Sequence, residues 1–171
     1  FECGVVAHEL GHSLGLNHAR SAACPGALYS SNRTGCTVSA YGDPFDVMGS
    51  GGCAGHYAAP AKEYMRWFTT CEDVTAGGSK TFNLSPLEGT CGLRSLRIPI
   101  PGESESRFYY LEYRKKSAGA FAGAQGQDRV IISVSTDGNT LVSPDRYRLD
   151  ATPSTQGNFK DGTLAVGTTY N

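Results

Sequence analysis

"AHELGHSLGLNHAR", residues Ala7 to Arg20, holds three of the four histidines of this 171-residue chain. Val5, Val6, Leu10 and Leu14 recur at helical spacing, which predicts a helix over Phe1 to Leu16. Gly15 stands where a left-handed residue would stop it. On that helix His8 and His12 lie one turn apart on one face, so both imidazoles reach a common point. Glu9 is rotated by about 100° from His8, badly placed as a third ligand but close enough to hold a water that a metal also holds. Past Gly15 the chain can turn sharply, and His18 can fold back onto the same point. Three neutral nitrogens leave a fourth zinc position open, as a catalytic site requires. Zinc lowers the pKa of water to about 7 and polarises a carbonyl. Glu9 would then take the proton and pass it to the leaving amine. A zinc ion that only staples the fold would use the same histidines but leaves Glu9 without a purpose.

Working outward, 39% of the residues are hydrophobic, enough for a core, and no apolar run is long enough to cross a bilayer. At this length the chain is one domain or two small lobes. A formal net charge of -1 gives no sign of nucleic acid or an anionic membrane as partner. The 22 glycines and 8 prolines favour turns and short strands over a helical bundle. Cys3, Cys24, Cys36, Cys53, Cys71 and Cys91 are too widely spaced for a cysteine zinc site. They read as three disulfides formed in an oxidising compartment, the alternative being buried free thiols. Cys71 and Cys91 bracket one turn-rich segment and are the pair singled out. The opening at Phe1, without an initiator Met or an apolar leader, is expected of a processed chain or a piece of a longer protein.

Asn17 to Tyr41 is rich in Ser, Gly, Asn and Cys and reads as loop. "APAKEYMRWF", Ala59 to Phe68, reads as a second helix with Pro60 in its first turn and Tyr64, Trp67 and Phe68 toward the core. After Cys71 the period changes from 3.6 to 2. "KTFNL" from Lys80, "LRSLRIPI" from Leu93, "RFYYLEYRKK" from Arg107 and "RVIISVS" from Arg129 read as strands, and "GTLAVGTTY" near the end as one more. Between Arg107 and Arg114 both faces carry bulk, Tyr109, Leu111 and Tyr113 on one and Phe108, Tyr110 and Glu112 on the other. That is the pattern of a strand covered on two sides. No internal repeat or low-complexity tract stands out.

His8 to His18 match H-E-x-x-H-x-x-G-x-x-H, the signature of the metzincin clan of zinc peptidases. A second match is "YGDPFDVMGSGG", Tyr41 to Gly52, in which Met48 resembles the methionine of the clan's Met-turn. Together with "GHYAAPAKEYMRW" and "FYYLEYRKK", these words resemble the gametolysin-type secreted metallopeptidases and, less closely, the immune-inhibitor-A type. The resemblance runs from about Ala7 to Arg114. It implies an α+β fold, the C-terminal part of a metzincin-like catalytic domain (zinc helix, Met-turn, second helix) over residues 1–70. A β-rich antiparallel lobe would follow over residues 71–171. It further implies zinc held by His8, His12 and His18, Glu9 as general base, and Met48 as the floor of the site. Three departures are visible. Ser50 stands where some metzincins have a tyrosine ligand, Arg66 stands where related chains often have glycine, and the N-terminal lobe that metzincins build before the zinc helix is expected to lie outside these residues.

By the same resemblance His56 would line the pocket for the residue after the cut bond, unless it is an ordinary loop histidine. Asp46 would hydrogen-bond behind a zinc ligand, or else cap the turn beside Pro44. Asn32-Arg33-Thr34 is a glycosylation sequon, and Asn83-Leu84-Ser85 is a poorer one because Pro86 follows. Asp137, Asp145 and Asp150 sit in turn-like sequence where calcium or plain solvation would serve them. The function expected is a secreted zinc endopeptidase acting on protein or peptide substrates, with no nucleic-acid partner and no membrane span. The alternative is a catalytically incompetent fragment or a binding module for matrix, cell-wall or carbohydrate targets, using the aromatic stretch from Phe108 to Tyr113.

Overall fold

The computed structural model describes residues 2–30, 33–68, 73–75, 77–103, 106–115, 128–136, 143–165 and 167–168. Among these are two α-helices, α1 (Cys3–Ser13) and α2 (Ala59–Tyr64), and eight strands. The strands are β1 (Arg20–Ala23), β2 (Thr37–Ser39), β3 (Asp73–Thr75), β4 (Ser95–Pro99), β5 (Arg107–Arg114), β6 (Arg129–Thr136), β7 (Arg146–Leu149) and β8 (Leu164–Ala165). All join one sheet in the order β2-β1-β7-β6-β5-β4-β3, with β8 on the side of β6. The fold is α+β.

Both helices stop for the same reason. After α1, Gly15 takes φ +86°. The Leu16 N–H then reaches the Gly11 carbonyl at 2.9 Å and the Gly15 N–H the His12 carbonyl at 2.9 Å. After α2, Arg66 takes φ +59°. The Trp67 N–H donates to the Lys62 carbonyl at 2.8 Å and the Arg66 N–H to the Glu63 carbonyl at 2.9 Å. These are paired Schellman bonds, which satisfy carbonyls the helix end would leave bare. In α2 the left-handed residue is an arginine, at a position where glycine carries no Cβ penalty. The helix therefore ends four residues before Phe68. With the helical period broken, Trp67 turns outward, 48% exposed, and rests edge-on against Tyr57. Tyr64 and Phe68 still pack partly against buried clusters, as expected.

The sheet corrects three expectations. It is mixed rather than antiparallel, because β1 runs parallel to β7 and β3 parallel to β4. It also takes two strands from the stretch read as loop, with Cys24–Cys36 closing the segment between them. "KTFNL" forms no strand, and "GTLAVGTTY" supplies only Leu164 and Ala165 among the described residues. The reasons are compositional. Ser21, Ala22 and Ala23 are small and carry no alternation, yet all three are buried against β7. In β7 every residue is buried, including Arg146 and Arg148, so the strand has no polar face to reveal it. A second disulfide, Cys3–Cys53, ties the start of α1 to the turn after Met48. The expected Cys71–Cys91 bridge is not formed at Cys91, which is an exposed thiol, and Cys71 lies outside the described residues.

Three apolar clusters hold the layers together. One lies on the sheet around Ala22, Ile132, Val134, Tyr147 and Leu149. Another, Leu16, Ala19, Val47, Met48 and Ala61, lies beneath α1. A third joins Ala59 of α2 to Leu87 and Tyr110. The apolar residues that predicted α1 do not contribute: Val5, Val6, Leu10 and Leu14 are all exposed, and the buried positions of the helix are Gly4 and Gly11.

Between these clusters lies a set of buried charges. Glu112 of β5 accepts the Ala59 N–H at the start of α2 at 2.6 Å and the Arg114 Nε–H at 2.8 Å. Arg114 also meets Glu88 at 3.3 Å. Glu63 of α2 accepts the Tyr110 hydroxyl at 2.6 Å and pairs with Arg97. Arg148, fully buried, donates to the carbonyls of Ile132 at 2.6 Å and Gly162 at 3.0 Å. Burial first, and the neighbouring Asp46 charge second, push the Asp43 carboxyl up to about 6 against the pull of Arg148.

Removing one partner from such a set strands the others without water. Glu112→Ala should therefore destabilise the chain by about 3–5 kcal/mol in urea denaturation, and a loss below about 1 kcal/mol would contradict its role. For Asp43 the folded pKa lies above the unfolded one. Its contribution to stability is complete below the unfolded pKa and is lost as pH rises through about 6. Asp43→Asn keeps an acceptor for the Phe45 N–H. It should gain on the parent in denaturation midpoint between about pH 4 and about pH 7. A difference that stays constant over that window would contradict the raised carboxyl.

Candidate metal centre

The Schellman turn at Gly15 brings the chain back so that His18 faces the helix it has just left. His8 and His12 project from α1, and the three ring centres lie 4.8, 4.9 and 5.3 Å apart. One ligand atom from each ring falls within 4.8 Å of the others. Among the described residues this is the one cluster of three His, Cys, Asp or Glu donors so placed.

Backbone carbonyls orient two of the rings. His8 Nδ1 lies 2.9 Å from the Val47 carbonyl and His12 Nδ1 lies 2.8 Å from the Leu16 carbonyl. A carbonyl can only accept, so both Nδ1 atoms carry the proton and both Nε2 atoms keep a lone pair. His12 Nε2 stands 3.2 Å from His18 Nε2. Tetrahedral zinc with Zn–N bonds of about 2.0–2.1 Å places its nitrogens about 3.3–3.4 Å apart, so the His12–His18 pair fits such an ion, and the His8 donor lies within 4.8 Å of both. Burial, followed by the charges of His12 and His8, lowers the pKa of His18, which favours the neutral ligand form.

Met48 is fully buried beneath the helix. A Cβ added at Gly11 would lie 2.2 Å from Met48 Sδ, so α1 rests directly on the thioether one residue before His12. Ala19, next to His18, donates its N–H to the Met48 carbonyl at 2.8 Å and accepts from the Asp43 N–H at 3.3 Å. Both contacts place the loop from Tyr41 to Ser50 against the histidines.

Asp46 is not behind a histidine. Its carboxylate accepts the Met48 N–H at 2.7 Å and the Ala58 N–H at 2.9 Å, and lies 4.0 Å from Arg146. It caps the turn, and the partners of the rings are main-chain atoms instead. A carbonyl has no residue signature, so the sequence carries no sign of them.

Glu9 is exposed and, with His8, Val47, Gly49 and Ser50, lines a cleft of about 470 Å³. His56 lines a different, more apolar cleft of about 290 Å³ with Tyr57 and Trp67. The two share Val47, Gly52 and Cys53 as a common wall. His56 Nε2 lies 3.4 Å from Lys62 Nζ, and burial, then the Lys62 charge, push its pKa down to about 3. The His56 cleft adjoins the one that Glu9 and His8 line.

Ser50 turns its hydroxyl toward the Asp43 carbonyl at 3.4 Å. The tyrosine near the cluster is one the sequence reading passed over: the Tyr41 ring lies 4.0 Å from that of His18 and 6.0 Å from that of His8. Of the aspartates weighed for calcium, Asp145 pairs with Arg20 at 2.9 Å. Asp150 accepts the N–H groups of Thr152 and Gly157 at 2.9 and 2.8 Å. Asp137 and Asn32 lie outside the described residues, and Asn83 is exposed. No helix of the described residues is long and apolar enough to cross a membrane.

Neither the curated proteins nor the solved structures hold a match to this chain. Residues 1–75 match the model of the Metallo-peptidase family M12B Reprolysin-like. That segment contains His8, Glu9, His12, His18 and Met48, and the match supports a metallopeptidase family for the chain.

Proposed function

We propose that the chain is the zinc-binding part of a secreted endopeptidase, of the kind its sequence words resemble in gametolysin-type enzymes. His8, His12 and His18 hold the ion, Glu9 is the general base and acid, and Met48 is the floor. The observation that carries this reading is the convergence of three imidazole donors within 4.8 Å, two of them donating an Nδ1–H to a main-chain carbonyl. Zinc held there would supply Lewis acidity toward a peptide carbonyl and toward water.

The chain's own residues supply the rest. The Val47 and Leu16 carbonyls select the tautomer of His8 and His12 whose Nε2 lone pair is available to the ion. Glu9 presents an exposed carboxylate to the same cleft as His8, where it takes a proton from the attacking water and returns it to the departing amine. The cleft between α1 and the Val47–Ser50 turn receives the peptide. Two disulfides agree with an oxidising, extracellular setting. The rival reading as a binding module needed an exposed aromatic strand. Tyr110 is fully buried and Phe108, Tyr109 and Tyr113 are half-buried, which leaves that strand little free surface.

Metal content by plasma mass spectrometry, paired with a peptide-cleavage assay, tests the proposal. The parent and Glu9→Ala should each carry about one zinc per chain, and His18→Ala should lose most of it. Glu9→Ala should cleave peptide about 10²–10⁴-fold more slowly than the parent. A folded parent that takes up no supplied zinc would overturn the site. Cleavage by Glu9→Ala at the parental rate would overturn the role of Glu9.

A further inference from the structure

The three histidines are not held alike. His8 and His12 each have an Nδ1 bond to a carbonyl, whereas among the described residues His18 has no such partner. It also stands outside the helix, on the segment leading to β1, where no helical backbone fixes its rotamer. What His18 has instead is an aromatic neighbour. The Tyr41 ring lies 4.0 Å from its centre with 38° between the planes, close enough for the faces to touch.

We propose that Tyr41 is the positioning residue of His18, its ring taking the place of the hydrogen bond that orients the other two. The inference rests on the reading of His8, His12 and His18 as zinc ligands. Tyr41 is half exposed, so filling the core is not what places it there. The main chain holds it at the site. The Gly42 N–H donates to the Ser39 carbonyl at 3.3 Å, and the Asp43 N–H donates to the carbonyl of Ala19, the residue after His18, at 3.3 Å. Residues 41–43 therefore lie alongside residues 18–19, and the phenol ring rests against the imidazole. The ring's second neighbour, His8 at 6.0 Å, is consistent with a wall shared by two of the three donors.

Losing a partner that orients a metal histidine typically weakens binding about 10–100-fold. Zinc affinity by competition with a chromophoric chelator, together with the visible spectrum of the cobalt-substituted chain, tests the idea without reference to activity. Tyr41→Ala should bind zinc about 10–100-fold more weakly than the parent, and its cobalt spectrum should move toward that of His18→Ala. Tyr41→Phe, which keeps the ring, should match the parent. Tyr41→Leu keeps apolar bulk without a ring face and should resemble Tyr41→Ala, and far-UV circular dichroism of the metal-free variants confirms that each is folded. Parental affinity and spectrum in Tyr41→Ala and Tyr41→Leu, with zinc lost in His18→Ala, would overturn the role of Tyr41 and leave the site standing. A loss in Tyr41→Phe as large as in Tyr41→Ala would overturn it too, because the hydroxyl and not the ring would then matter. If the folded parent binds no zinc, the three-histidine reading falls first and this inference with it.

Discussion

The backbone of α1 lies directly against the side chain of Met48, and the candidate centre depends on that contact. Gly11 is the point of contact, and any side chain there would overlap the thioether. Because the helix can settle so low, His8 comes within reach of the Val47 carbonyl, and its ring takes one tautomer and one direction. Once the helix is placed, the Gly15 turn and the Ala19–Met48 hydrogen bond leave His18 a single region to occupy. A methionine serves as the support because its unbranched, polarisable side chain fits the irregular space under a glycine. The Cys3–Cys53 bridge adds a second tether at the other end of the helix.

The sheet meets the turn that carries Met48 through charges as well as through apolar packing. Asp46 holds the N–H groups of Met48 and Ala58, Glu112 holds that of Ala59, and Arg146 and Arg148 approach from β7. A buried network of this kind contributes less net stability than apolar residues of equal volume, yet each hydrogen bond has a direction. Here the direction is what matters. The carboxylates fix a short turn and the start of a six-residue helix, neither of which has enough internal hydrogen bonding to hold its own shape. Through Asp46 the β-rich part of the chain thereby braces the turn on which α1 rests.

Different interactions orient the individual rings: main-chain carbonyls hold His8 and His12, and an aromatic contact holds His18. The division follows from where each ring sits. A histidine on a helix returns to the same place each time the helix forms, so a single acceptor completes its alignment. A histidine on a connecting segment needs a surface, and the loop that carries Met48 supplies one a few residues earlier.

The donor set was legible in the sequence because its spacing is local. One helical turn relates His8 to His12, and a left-handed glycine returns His18, so eleven consecutive residues carry the information. Met48 was legible from the words around it, and the strands β4, β5 and β6 from their alternation. Other features had no local signature. β1 and β7 pair with each other across more than a hundred residues, and with β2 and β6 on their other edges, so no local pattern marks them as strands. Val5, Val6, Leu10 and Leu14 marked the helix by their spacing yet lie exposed on it, and its buried side is made by two glycines, which allow closer contact than larger side chains. The carbonyls behind His8 and His12, the turn-capping use of Asp46 and the ring beside His18 depend on which segments lie next to one another. The sequence alone therefore determined which atoms could meet a metal, because local geometry brings them together. Only the tertiary structure decided what holds them in place, because those partners are main-chain atoms and distant side chains that become neighbours when the chain is packed.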